Sequence, residues 1–148
     1  MKSDNYFMKL AFHTSNQSTC YSNPKGAIII HANKIVASGF NNVSPGVLSC
    51  REKMGCCHRR ALGYQSGEGL LYCRGVHAEA AAICNAAKIG VSIDGATLYT
   101  THLPCNECAK LIANSGISRV VYANEYSADY SLEIFLGANI RLDHLIMG

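Results

Sequence analysis

Two short stretches hold residue types that can do chemistry together. Residues 77–79 read HAE, and residues 104–108 read PCNEC. Each opens a helical pattern: HAEAAAICNAAKIG is alanine-rich and stops at Gly90, and CNECAKLIANSG stops at Gly116. One strand-like run, ATLYTTH, lies between them. Thiolates at the start of a helix are favoured by its free N–H groups and dipole. Two parallel helices starting at the same sheet edge would bring His77, Cys105 and Cys108 together. Three protein ligands leave the fourth tetrahedral position of a zinc ion to water, the pattern of a catalytic site. Two thiolates cancel the charge of Zn²⁺, so the metal alone acidifies that water weakly. A general base must stand beside it, and Glu79 is the candidate. On a regular helix, residues 77 and 79 would point to different sides. The set therefore requires His77 at the helix cap and only Glu79 within the first turn.

The elements that must position this set follow from the periodicity. Residues 5–16 carry apolar residues at helical spacing. GAIIIHANKIVASGF, residues 26–40, reads as strand, short turn, strand around ANK. Residues 41–76 read as a long irregular excursion rich in Gly, Ser and charge, a length that is uncommon unless something functional or a tether explains it. From residue 77, helices alternate with strands: SRVVYAN is a strand, SLEIFLGA a short helix and NIRLDHLI a last strand. That alternation implies a largely parallel sheet, and the opening hairpin makes it mixed. The expected fold is a three-layer α/β/α sandwich around five strands, with residues 1–148 as a single domain.

Composition narrows the class. The chain has 148 residues, 49% hydrophobic and 16% charged, enough for one packed core. A net charge of +3 does not argue for nucleic acid, and no apolar run suggests a membrane span or an export signal. Eight cysteines in an intracellular chain suggest metal or catalysis more than disulfides. A cytoplasmic protein is expected.

H-x-E followed by P-C-x-x-C is the signature of the zinc deaminases. With it, the sequence resembles the cytidine/deoxycytidylate deaminase superfamily, and within it the dCMP deaminase branch. The likeness extends over STC at 18–20, residues 26–46, CRGVHAE at 73–79, residues 95–117 and VVYANEY at 120–126. It implies zinc-dependent deamination of dCMP to dUMP and ammonia, supplying dUMP for thymidylate synthesis. Water activated at the metal attacks C4 of the ring, while Glu79 carries protons to N3 and the departing amine. Asn41 matches the family asparagine that bonds the nucleoside, and Tyr126 the family tyrosine near the pocket. The N–H of Ala78 would face the pyrimidine carbonyl. For the 5′-phosphate the candidates are Lys25, Arg51, Arg59, Arg60 and Arg74, with Lys25 the first choice.

The resemblance also implies a second, structural zinc. Cys20 and Cys50 match positions used for it, and Cys57 and Cys73 complete a four-cysteine set, with Cys56 and His102 as substitutes. Cys84 is expected to be a buried small hydrophobe. Family members are commonly homohexamers, activated by dCTP and inhibited by dTTP with Mg²⁺. The regulatory nucleotide would lie near Asn42 and the helix carrying Lys88. The chain departs from the family there, with Asn42 in place of a glycine and Ala81 in place of an asparagine. Two other readings compete: a zinc deaminase of cytidine, guanine or a tRNA base, and a non-catalytic module in which metal only holds the fold. The second leaves Glu79 without a role.

Overall fold

A computed structural model describes residues 1–147. Helix α1 (Asp4–Ser15) begins at Ser3, whose hydroxyl caps the N–H of Tyr6. Strands β1 (Gly26–His31) and β2 (Lys34–Phe40) form a hairpin. Ala32 and Asn33 turn it with φ of 50° and 62°, the left-handed pair that suits the twist of tight hairpins.

The excursion is more ordered than its composition suggests. It holds α2 (Cys50–Met54), α3 (His58–Ala61) and a 3₁₀ turn at Leu70–Tyr72. Ser49 and Glu52 form a reciprocal capping box on α2, an S-x-x-E signal present in the sequence. At its base, Asn42 and Val76 exchange backbone hydrogen bonds of 3.2 and 2.6 Å. This clasp brings the end of β2 beside residue 77.

Next come α4 (Ala78–Ile89), β3 (Thr97–His102), α5 (Asn106–Ser115), β4 (Arg119–Asn124), α6 (Ser131–Gly137) and β5 (Arg141–His144). The sheet order is β2-β1-β3-β4-β5. β1 is antiparallel to both neighbours, and β3, β4 and β5 are parallel. The mixed five-stranded sheet is as the sequence implied, except that β5 is shorter than residues 139–146.

Two apolar clusters make the three layers. On one face, Phe7, Met8 and Ala11 of α1 pack on Ile28, Ile30, Tyr99 and Val121. On the other, Ala78, Ala82, Ala86, Ile112 and Phe135 pack on Ile29, Leu98 and Val120. The alanine row lets α4 press close to β2. A Cβ added at Gly39 would stand 2.6 Å from the carbonyl oxygen of Ala78, so only glycine fits there. No helix among the described residues is long and apolar enough to cross a membrane.

Candidate active site

Three donor atoms converge where α4 and α5 begin. His77 is the N-cap of α4, in extended conformation at φ −70° and ψ 154°. Cys105 is the N-cap of α5, at φ −67° and ψ 171°, and Cys108 lies in its first turn. The cap position resolves the spacing problem of HAE: His77 is outside the helical screw and Glu79 is inside it. His77 Nδ1 lies 3.4 Å from Cys105 Sγ and 3.5 Å from Cys108 Sγ. Tetrahedral zinc with bonds of about 2.1 Å to nitrogen and 2.3 Å to sulfur sets such atoms about 3.6 Å apart, so the three donors fit that ion. Among the described residues, this is the one cluster of three or more His, Cys, Asp or Glu donors close enough to share a metal.

The electrostatics agree with a cation site. Cys105 and Cys108 are buried, at 5% and 2% exposure. The hydrogen bond from Cys108, aided by His77, pulls the Cys105 thiol down to about 4. The same shared bond, with burial, pushes Cys108 up. The hydrogen bond to Cys105 raises His77, against the effect of burial. Two sulfurs and an imidazole competing for few protons suit a soft-tolerant divalent ion.

Glu79 is 3% exposed, and its Oε1 accepts the hydroxyl of Thr100 at 2.7 Å. The Thr100 oxygen also lies 3.2 Å from the His102 carbonyl. One hydroxyl has one proton, and the shorter, charged partner takes it. The sequence reading missed Thr100. Two consecutive fully buried threonines in a central strand, Thr100 and Thr101, are the signal that was available, since buried hydroxyls need partners.

The other expected site residues border one small cavity. His77, Asn41, Lys25 and Tyr126 line it. Asn41 organises the loop before β1: its Oδ1 accepts from Lys25 N and Ser18 Oγ at 2.7 Å each, and its Nδ2 donates to Asn23 O at 2.9 Å. One amide hydrogen remains for a ligand. The Lys25 ammonium sits 3.5 Å from the centre of the Tyr126 ring. Burial lowers the Lys25 pKa, opposed by the charges of Glu79 and the cysteines. Burial raises the Tyr126 hydroxyl. Ala78 is the fully buried first residue of α4, where helix N–H groups have no intrahelical partner.

The expected second cluster is partly assembled. Cys20, Cys50, Cys57 and Cys73 line one cavity of about 40 Å³, but no three of their sulfurs approach closely enough to share an ion. Cys56 is exposed. His102 turns elsewhere, with its ring beside Thr101 Oγ1 at 2.9 Å and Asn23 Nδ2 at 3.4 Å, and burial holds it down to about 4. Cys84 is exposed rather than buried, because it faces away from the sheet into a surface cavity of about 750 Å³. Asn42 and Ala81 line that cavity too, and Asn42 Oδ1 accepts from Thr19 at 2.6 Å. Lys88 does not line it; it is exposed in the last turn of α4.

Comparison with known proteins gives the same family. The family model of the cytidine and deoxycytidylate deaminase zinc-binding region matches residues 1–124. ComE operon protein 2 of Bacillus subtilis is 33% identical over 146 residues, covering 95% of this chain and 69% of that one. The deoxycytidylate deaminase of Mycobacterium phage D29 is 35% identical over 127 residues, covering 82% and 94%. The structure of dCMP deaminase from cyanophage S-TIM5, in complex with dCMP and dUMP, superposes with a TM-score of 0.81 at 30% identity, covering 98% of this chain and 99% of that one. With its HAE and PCNEC donors gathered at two helix caps of this sheet, the chain belongs to the cytidine and deoxycytidylate deaminase family.

Proposed function

We propose that the protein deaminates dCMP hydrolytically, yielding dUMP and ammonia and so supplying dUMP for thymidylate synthesis. The observation that carries this reading is the buried Glu79 carboxylate beside a His77–Cys105–Cys108 donor set. Zinc held by those three side chains would supply the Lewis acidity that makes water a nucleophile at neutral pH. The chain's own groups do the rest. Glu79 accepts one proton from the attacking water and passes it to N3. It then takes the remaining proton of the new C4 hydroxyl and delivers it to the 4-amino nitrogen, so that the C4–N bond breaks, the C4 carbonyl forms and ammonia leaves. One carboxylate serves both transfers because N3 and the amino group are neighbours on the ring. Thr100 holds Oε1 still, so the other oxygen is the one free to shuttle protons. The N–H of Ala78 and the free amide hydrogen of Asn41 orient the nucleotide, and Tyr126 walls the pocket.

The reading extends to parts with thinner support. A second metal in the cavity of Cys20, Cys50, Cys57 and Cys73 would tether the excursion, with a small closure bringing the sulfurs into range. The 750 Å³ cavity bordered by Asn42, Arg51 and Ala81 is the candidate for dCTP or for dTTP with Mg²⁺, without Lys88. A homo-oligomer, a hexamer by resemblance, is supported by exposed Leu111, Leu132 and Leu136 on α5 and α6.

The test is to follow loss of cytosine absorbance with dCMP, deoxycytidine and cytidine, and to assay guanine separately. Turnover of dCMP that chelation abolishes and zinc restores is the expected result. Equal or faster turnover of cytidine or guanine would redirect the reading to another base or nucleoside.

A further inference from the structure

Five cations were candidates for an anion site on sequence alone, with Lys25 the first choice, and their surroundings separate them. Arg51 lies over the Tyr21 ring at 4.8 Å. Arg60 is exposed and donates to Ser22 Oγ at 3.2 Å. Arg74 donates to Leu48 O at 2.9 Å. Arg59 differs: it is buried, at 9% exposure, although it comes from a four-residue helix in the excursion. Its Nη1 donates to Glu68 O at 2.7 Å, and its Nε is fully buried with no acceptor among the described residues. It lines the same cavity as His77, Asn41, Lys25 and Tyr126.

Burying a guanidinium with an unsatisfied N–H is costly, and such groups call for an explanation. Neither Arg59 nor Lys25 forms a salt bridge with any described carboxylate. Lys25 rests on a ring face instead. Two cations without carboxylate partners, on the wall of a cavity that also reaches the metal donor His77, suit an anion carried by whatever enters. A 5′-phosphate brings a charge between about −1.5 and −2 and three acceptor oxygens. A free nucleoside brings neither and would leave both cations unpaired.

Resting on the deaminase reading above, we infer that Arg59, assisted by Lys25, is the specificity residue that selects a nucleoside 5′-monophosphate over the nucleoside. The cavity measures about 40 Å³, room for about three waters. Entry of a nucleotide therefore requires side chains that line the cavity to move. Arg59 is a binding residue here and takes no part in proton transfer.

The experiment compares wild type with Arg59→Gln on dCMP and deoxycytidine, with zinc measured in each protein. Loss of one charge-assisted contact should raise KM for dCMP about 10- to 100-fold, leaving kcat, deoxycytidine turnover and zinc content near wild type. Equal losses on both substrates, an unchanged KM for dCMP, or lost zinc would overturn the assignment; the last would mean that Arg59 serves the cysteine cavity. If Arg59→Gln does not fold, wild type still decides. 2-Deoxyribose 5-phosphate should compete with dCMP at concentrations where 2-deoxyribose does not, and equal potency of the two would sink the proposal. Wild type inactive on both substrates would defeat the deaminase reading alone; calorimetric binding of dUMP to wild type and Arg59→Gln would then still judge the subsite.

Discussion

At the scale of the residue, the supports around Glu79 suit the proton-carrying role proposed for it. It is buried, it is fixed by one hydroxyl, and it stands one step inside a helix whose cap is a metal donor. Glu79→Gln keeps the shape and removes the base. Its kcat should fall about 10²- to 10⁴-fold with zinc content unchanged; a near-normal rate would remove Glu79 from the chemistry. Thr100→Val leaves the carboxylate without its donor. A fall in kcat of about tenfold or more is expected, with KM little changed and Thr100→Ser restoring the rate. If serine does not rescue, Thr100 matters for packing and not for its hydroxyl. His77, Glu79, Cys105 and Cys108 were legible in the sequence because their types are few and their spacing has one economical explanation. Thr100 was not, because threonine is ordinary in strands and its partner lies 21 residues away. Arg59 was one arginine among several until burial set it apart.

At the scale of the element, the helices that carry the donors were legible from alanine periodicity and glycine stops, and the strands from β-rich runs. The short helices between residues 50 and 61 were not. They lack a buried apolar stripe, which is the signal periodicity reads, and they are set by local caps. The first helix shows another kind of support. Asp4 accepts two bonds from Arg119, of 2.9 and 2.8 Å, and one from the Tyr99 hydroxyl at 2.6 Å, tying α1 to β3 and β4. The Arg119 guanidinium holds the Asp4 carboxyl below its ordinary value. The stability Asp4 contributes is thus complete above the unfolded value near 3.9 and drains as pH falls through the lower folded value. The pair is partly exposed, so screening limits it, and Asp4→Asn should cost about 1 kcal/mol at neutral pH. Urea unfolding at neutral pH and near pH 2 checks this. The difference between wild type and variant should close at the acid end; a gap that persists would mean packing, not charge, is lost.

At the scale of the whole molecule, the two proposed metal sites should differ in what they hold. The His77, Cys105 and Cys108 donors sit at the starts of helices whose packing is apolar and complete without them, as the two core clusters show. Removing that metal should stop catalysis and leave the sheet and its helices folded. The excursion between Asn41 and Val76 is built differently. Within it only Ser49 and Arg59 are buried, while Val47, Leu48, Leu62 and Leu71 are exposed. A segment with so little apolar burial depends on its backbone clasp, its caps and whatever joins its cysteines. If a metal does the joining, about two zinc ions per chain should be found, and Cys50→Ser should retain about one. Trypsin should then cut the variant after Arg51, Lys53 or Arg60 faster than wild type, with circular dichroism nearly unchanged. Cleavage at wild-type speed, together with one zinc in both proteins, would show that protein contacts alone hold the excursion. The cysteine cavity would then be an ordinary packing feature, and the phosphate-selecting Arg59 would owe its place to the Glu68 carbonyl and the Asn42–Val76 clasp.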